Sequence, residues 1–310
     1  MVTQHRMTSQ SSQTPTPRVS VLMTIYNAEP YLRAAVDSLI VQTFPDWELI
    51  AVENGSTDKS MPILRSYSDC RVRIFPLEQN IGRTPALRLA FDQARGDYIA
   101  ILDADDVSAP DRLSKQVEFL DQHADVALVG SWAQHIDEHG KIFDVFEPPA
   151  NQEELQDCLG WTNPIIHSSA MYRRKLAQEV GGYPENICWA QDLGLILALA
   201  QRAKIAMIAD YLCQVRVLTA SMTRSTKYRM LVAREALLLF KQAANSLQLS
   251  NKARRLNRRA MAIAEIKLGA ATLRSDSFWA GLKMLLHGFI TAPSALWGNG
   301  PMRRFFGAKF

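Results

Sequence analysis

The segment YIAILDADDVSAP, Tyr98 to Pro110, runs from an apolar stretch directly into three carboxylates, Asp103, Asp105 and Asp106. Side chains alternate along a strand, so Asp103 and Asp105 are expected on one side and Ala104 on the other. Two carboxylates on one side repel each other and resist burial. A hard divalent cation resolves that conflict: Mg2+ or Mn2+ takes oxygen ligands and is commonly held by one or two carboxylates together with substrate phosphates. The pattern therefore points to a cation held between the protein and a diphosphate. Two other chemistries compete. The pair could serve as nucleophile and acid in an aspartate-based phosphatase, or Asp105 and Asp106 could cap a helix starting near Pro110. Such phosphatases usually carry their pair on the first strand, and here three strand-like segments come earlier.

Those earlier segments must position the carboxylates. VSVLMTIYN (Val19 to Asn27) reads as a buried strand, AEPYLRAAVDSLIVQTF repeats apolar residues at helical spacing, and WELIAVENGSTD is a second strand ending in a polar loop. A helix follows from about Lys59 to Ser68, then the strand VRIFPL, a helix from about Thr84 to Ala94, and the strand DYIAILDADD. Strands that are apolar nearly throughout and alternate with helices predict a parallel sheet covered on both faces. Ligands of such sheets bind at the carboxyl ends of the strands. That rule gathers Thr24 to Asn27, Glu53 to Ser56 and Asp103 to Asp106 along one edge, although ENGSTD alone also fits ordinary turn chemistry. Neither the glycine fingerprint of dinucleotide binding nor a phosphate loop with its lysine occurs, which removes the best support for hydride transfer and for ATP hydrolysis.

The chain of 310 residues, 47% of them hydrophobic, can build a sizeable core. Its first 17 residues are polar and predict a disordered leader without a secretory signal. The longest strongly apolar stretch, LGLILALA, is far short of the roughly 20 residues that span a bilayer. Cys70, Cys158, Cys188 and Cys213 lack the paired spacing of a zinc or redox site and read as buried reduced thiols, suited to the cytoplasm. Charge is unevenly placed: residues 224–310 hold 16 Lys and Arg against 3 Asp and Glu, a net of +13, while residues 1–223 carry −9. The expected organisation is a leader over 1–17, an α/β domain over 18–223 and a basic helical region over 224–310.

From Arg18 to Arg216 the chain resembles glycosyltransferase family 2, inverting nucleotide-sugar transferases of the GT-A fold. The resemblance is carried by VSVLMTIYNAEPYLRAAVDSLIVQTFPDWELIAVENGSTD, NIGRTPALRLAFDQARGDYIAILDADD and GGYPENICWAQDLGL. It implies a Rossmann-like, mostly parallel sheet with flanking helices, and a nucleotide pocket lined by Thr24, Tyr26, Asn27 and Glu29. It also brings in Glu53 where the family usually has the base-pairing Asp, with Asn54, Gly55 and Ser56 following. Arg83 stands where a basic residue offsets the diphosphate, and Asp103 and Ala104 complete the donor side. Asp105 is the first expected metal ligand, Asp103 a second metal or ribose ligand, and Asp106 a supporting neighbour. WAQDLGL resembles the family segment E-D-x-x-L, which makes Asp192 the expected base for an acceptor hydroxyl, with Gln191 in place of the usual Glu. Without the resemblance Asp192 reads as a helix cap. His167 and Arg216 are possible acceptor or diphosphate contacts, His167 also reading as a structural residue.

Beyond Ser225 the chain reads as helices. Phe278, Leu282, Leu285, Leu286 and Phe289 form one stripe with Trp279 beside it and Lys283 away from it, and NKARRLNRRA is strongly cationic. That suits a helix lying on the cytoplasmic face of an anionic membrane, or one packing on the catalytic domain. No nucleic-acid reading motif is present. The resemblance thus implies a cytoplasmic enzyme using Mg2+ or Mn2+ to move a sugar from a nucleotide-diphosphate sugar to a glycan or lipid-linked acceptor, in cell-surface polysaccharide or glycolipid synthesis. A non-catalytic nucleotide-sugar-binding scaffold of the same fold is the alternative, with Gln191 and Glu53 as marks of decay.

Overall fold

The computed structural model describes residues 16–218, 226–273 and 278–291. Strands β1 (Val19–Ile25), β2 (Trp47–Asn54), β3 (Val72–Leu77) and β4 (Tyr98–Ile101) alternate with helices α1 (Leu32–Ile40), α2 (Ser60–Arg65) and α3 (Arg83–Gln93). These strands pair in parallel in the order β3-β2-β1-β4, with Val21 opposite both Leu49 and Ala100. Val21, Met23 and Ile25 pack with Leu32, Val36 and Leu39 of α1, while Leu22, Ile50 and Val52 pack with Ala86, Leu87 and Ala90 of α3. Both faces are therefore dry, which is why the strands read as unbroken apolar runs.

An apolar strand buried on both faces is poorly protected against slipping by one residue, and a buried polar pair supplies the protection. Ser20 lies opposite Glu48 in the β1–β2 register and donates its hydroxyl to Glu48 Oε1 at 2.7 Å. Glu48 also accepts from Arg73 and Arg95, and Ser20 Oγ accepts from the amides of Arg95 and Gly96. A Cβ at Gly96 would sit 2.6 Å from Ser20 N, so only glycine lets these backbones meet.

The sheet continues through β5 (Val107–Ser108), β6 (Val126–Ile136), β7 (Ile142–Phe146), β8 (Met171–Arg173) and β9 (Lys204–Arg216). Between them lie helices α4 (Arg112–Gln122), α5 (Gln152–Leu159), α6 (Arg174–Glu179) and α7 (Gln191–Ala200), with a 3-10 turn at His167–Ser169. The order beyond β4 is β8-β6-β9-β5; β8 runs antiparallel to both β4 and β6, and β7 hangs off β6. The sheet is thus mixed, and the parallel pattern expected from the sequence holds across its first four strands and again between β6 and β9. One expectation is corrected. Strand β4 ends at Ile101, and Asp103 to Asp106 form a turn in which Asp106 N donates to Asp103 O at 3.2 Å, so strand alternation does not set their directions.

The basic region folds into α8 (Thr226–Ser246), α9 (Asn251–Thr272) and α10 (Phe278–Thr291). Leu239, Phe240 and Ala243 of α8 and Ala253 and Ala260 of α9 are buried in the same cluster as α3 and α7. Asn257 donates to the carbonyls of Phe240 and Gly160, joining both helices to the end of α5. Helix α10 packs on α9 through glycines: a Cβ on Gly269 would lie 2.8 Å from Gly281 O, and one on Gly288 2.9 Å from Ala262 O. This divides the expected stripe. Leu285 meets α9 beside Gly269, whereas Leu286 (52% exposed) faces outward with Trp279 (78%) and Ile290 (78%). The side chains of Phe278 and Phe289, and the leader up to residue 15, lie outside the described residues. Cys158 and Cys213 are buried, but Cys70 and Cys188 are exposed, which corrects the expectation of four buried thiols. No helix among the described residues is long and apolar enough to cross a membrane.

Candidate active site

Arg83 opens α3 directly after Gly82, whose φ of 93° suits glycine. One guanidinium nitrogen lies 2.6 and 2.7 Å from the two oxygens of Asp103 and 3.2 Å from His167 Nδ1. With the Gln191 amide oriented to satisfy both of its ends, its oxygen accepts from Arg83 Nε and its nitrogen donates to the Cys188 carbonyl, each at 3.1 Å. Ser168 fastens the acidic turn from behind: its hydroxyl accepts from Asp103 N at 3.0 Å and donates to Asp106. Arg216 closes the turn on the other side, with N on Asp106 Oδ1 (2.8 Å), Nε on Asp105 O (3.0 Å) and its guanidinium 4.5 Å from the centre of the Tyr31 ring.

Three adjacent carboxylates are therefore held in three different ways. Burial opposes ionisation of Asp103, but the Arg83 guanidinium overrides it and holds this carboxyl below the ordinary Asp value. Asp105 makes no ion pair among the described residues; burial, and then the charge of Asp103, push it up to about 6. Asp106 is also raised, by burial and then by the charges of Asp103 and Asp105. Burial lowers His167, which is neutral beside Arg83: Nδ1 accepts and Nε2–H faces Tyr183 Oη at 2.9 Å. The 3.9 Å approach of His167 to Asp103 is therefore not an ion pair.

These residues fit Mg2+ or Mn2+ in one manner only. Among the described residues no three His, Cys, Asp or Glu side chains converge as a complete cage. Asp105, with Asp103 once freed from Arg83, offers the one or two carboxylates that such a cation uses when a diphosphate supplies the remaining oxygens. The surplus of buried negative charge in the turn is what a cation would relieve.

On the nucleotide side, the loops after β1 and β2 are bonded to each other. Asn27 (φ 52°) accepts from Thr57 N at 2.9 Å and donates its own amide to Ser56 Oγ at 3.1 Å. Glu29 N donates to Asp58, and Glu29 accepts from Lys59 N. Glu53, 4% exposed, accepts from Ser56 N at 2.7 Å. Asn54 accepts from Ile81 N and donates to Gly82 O, supporting the start of α3 that carries Arg83. Gly55 has a φ of 72°, and a Cβ there would lie 2.5 Å from the backbone of Gln79. Thr24 lies opposite Val52 near the end of β1, Tyr26 is half-exposed on the rim and Ala104 is buried beneath the turn.

Asp192 lies in the first turn of α7 and accepts from Asn163 Nδ2 at 2.8 Å. The N-cap of α7 is Ala190, so Asp192 is not the cap. Likewise α4 begins at Arg112 with Asp111 as N-cap, so Asp105 and Asp106 do not cap it. Asp103 raises the Arg83 pKa against the effect of burial, and the charges of Asp192 and Asp105 act in the same direction. Sequence reasoning missed Asn163, Ser168 and Tyr183, and saw Gln191 only as a substitution. Asn163 and Ser168 stand within four residues of His167 in the segment NPIIHS, and that proximity was the available signal.

The family model described as Glycosyl transferase family 2 matches residues 20–181. An uncharacterized glycosyltransferase of Methanocaldococcus jannaschii is 34% identical over 207 residues, covering 65% of this chain and 71% of that protein. The amylovoran biosynthesis glycosyltransferase AmsE of Erwinia amylovora is 28% identical over 202 residues, 64% of this chain and 75% of its own. Among solved structures, the mannosyltransferase PcManGT of Pyrobaculum calidifontis, in complex with GDP-Man and Mn2+, aligns over 93% of this chain and 89% of its own with a TM-score of 0.60 at 22% identity.

Proposed function

The chain belongs to glycosyltransferase family 2 and has the GT-A fold, and on that premise we propose that it is a cation-dependent, inverting transferase. Its donor is a nucleotide-diphosphate sugar and its acceptor a glycan or lipid-linked hydroxyl compound in cell-surface polysaccharide or glycolipid synthesis. The observation that carries this reading is the position of Arg83, paired with Asp103 at the mouth of the site and under the charge of Asp192 and Asp105. A partly exposed arginine whose partner is a carboxylate of the acidic turn can exchange that carboxylate for a diphosphate.

The residues divide the chemistry. Thr24, Tyr26, Asn27, Glu29 and the Glu53 to Ser56 loop bind and orient the nucleoside, with Asp103 and Ala104 beside the ribose. Arg83 turns from Asp103 to the diphosphate and neutralises charge that grows as the glycosidic bond breaks. Mg2+ or Mn2+ held by Asp105 and Asp103 would supply Lewis-acid stabilisation of the leaving group. Asp192, steadied by Asn163, takes the proton from the acceptor hydroxyl as that oxygen attacks the opposite face of the sugar carbon, which inverts its configuration. His167 and Arg216 act from behind, the first on Arg83 and the second on the acidic turn. The exposed face of α10 and the cations of α9 suggest attachment to an anionic membrane surface near a lipid-linked acceptor.

The decisive experiment is calorimetric titration with a panel of nucleotide sugars, with and without Mn2+, followed by transfer assays with Asp192→Asn. A donor that binds with Mn2+, is lost in Asp105→Ala, and is bound but not turned over by Asp192→Asn supports the reading. Binding that ignores both Mn2+ and Asp105→Ala sinks the cation-held diphosphate, and full turnover by Asp192→Asn leaves Asp192 without its role.

A further inference from the structure

The basic helical region does more than pack on the catalytic unit. Glu235, on α8, is one of only 3 acidic residues among residues 224–310, and its carboxylate accepts three consecutive backbone amides. Oε1 takes Cys188 N at 2.9 Å, and Oε2 takes Trp189 N at 2.8 Å and Ala190 N at 2.9 Å. These amides form the entry to α7, immediately before Gln191 and Asp192. The N-cap of that helix is alanine, which has no group to hold its own entry, so the carboxylate comes from another part of the chain.

We propose that Glu235 is a positioning residue for the transfer reaction, holding the 188–190 segment so that Asp192 and Gln191 face the donor, an inference that rests on the transferase reading of Asp192. The same segment is gripped twice more: Thr84 Oγ1, next to Arg83, donates to Ile187 O at 2.9 Å, and Gln191 donates to Cys188 O. Glu235 is the one member of this clamp that the helical region contributes. It couples α8 to both the base and the diphosphate-binding arginine.

A row of amides pointing one way is also an anion-binding nest. Filled by Glu235, it cannot draw the donor diphosphate away from Arg83. Emptied, it would leave three amides without their acceptor and Asp192 loosely held. Because geometry errors of about 1 Å at a catalytic group can cost on the order of a hundredfold in rate, the effect should fall on turnover rather than on donor affinity.

The test uses the full chain with Glu235→Ala and Glu235→Gln, the latter keeping shape while offering only one acceptor oxygen. Amide hydrogen exchange, read on peptides covering 186–194, is expected to quicken about tenfold or more in both variants while β2 peptides stay unchanged. With the best-binding donor and Mn2+, kcat should fall about tenfold or more and donor Kd change less than about twofold. Added formate should restore part of the lost kcat in Glu235→Ala by refilling the nest. Unchanged exchange at 186–194, or donor affinity falling in step with kcat, overturns the proposal. If the wild type turns over no donor, the transferase reading fails, and the exchange comparison alone decides whether Glu235 holds the segment.

Discussion

Arg83 reaches across from the first turn of α3 to place one nitrogen within 2.7 Å of both oxygens of Asp103, on the acidic turn after β4. With 39% of its side chain exposed, the arginine sits at the mouth of the site and can turn toward an arriving diphosphate. Arg83→Ala is expected to lower kcat by about a hundredfold or more, the scale of losing a preorganised charge-stabilising donor. Arg83→Lys should rescue it only in part, because an ammonium lacks the planar fork. Steady-state kinetics of the three proteins would show it, and a Lys variant equal to wild type would mean that charge alone matters.

Cation binding should depend on pH through Asp105. Its folded pKa, about 6, is above the unfolded value, so in the cation-free protein this group contributes stability at low pH that is lost as pH rises through about 6. A cation needs the ionised form, so the rise in Tm caused by Mn2+ should be small at pH 5 and grow between pH 5 and 7. Thermal melts across that range check this, and Asp105→Asn should flatten the curve.

Glu48 should be a stability residue with no catalytic role. Burial alone would raise it, but hydrogen bonds from Arg95, Ser20 and Arg73 hold it below the ordinary Glu value. A lowered folded pKa contributes stability above the unfolded value, lost as pH falls through the folded one. Glu48→Gln is expected to cost about 1–3 kcal/mol in urea unfolding at pH 7, with the gap to wild type narrowing in acid.

Helix α10 should bind anionic lipid. Trp279, Lys283, Leu286 and Ile290 are exposed at spacings of one helical face, and Arg254, Arg255 and Arg258 are exposed on its partner α9. Cosedimentation with phosphatidylserine-containing vesicles is expected, weakening with salt and falling about tenfold or more in Leu286→Ser/Ile290→Ser. No binding to anionic vesicles at low salt would remove the membrane from the picture.

Much of this protein is written locally. The buried strands of the first half appear as apolar runs because both sheet faces are covered, and the rule that ligands bind at strand carboxyl ends groups Asn27, Glu53 and Asp103. Asp105 was visible because a carboxylate at the end of an apolar segment needs a reason to be there, and Asp192 only through the family resemblance of WAQDLGL. What the tertiary structure decided are relations between residues far apart in the chain. Asp103 was legible, but its ionic partner Arg83 lies 20 residues earlier in sequence, at the start of α3, and meets it only once α3 packs against the sheet. Antiparallel β8 follows a long excursion that leaves no periodic mark, and the stripe of α10 was divided by glycines whose close approach to α9 no helical wheel contains. Glu235 is the clearest case: a lone acid in a basic stretch reads as surface charge, and it acquires a function only because folding sets it against three amides some 45 residues away. Local sequence fixes burial and turns through solvation and backbone sterics, whereas which charge meets which is settled by packing.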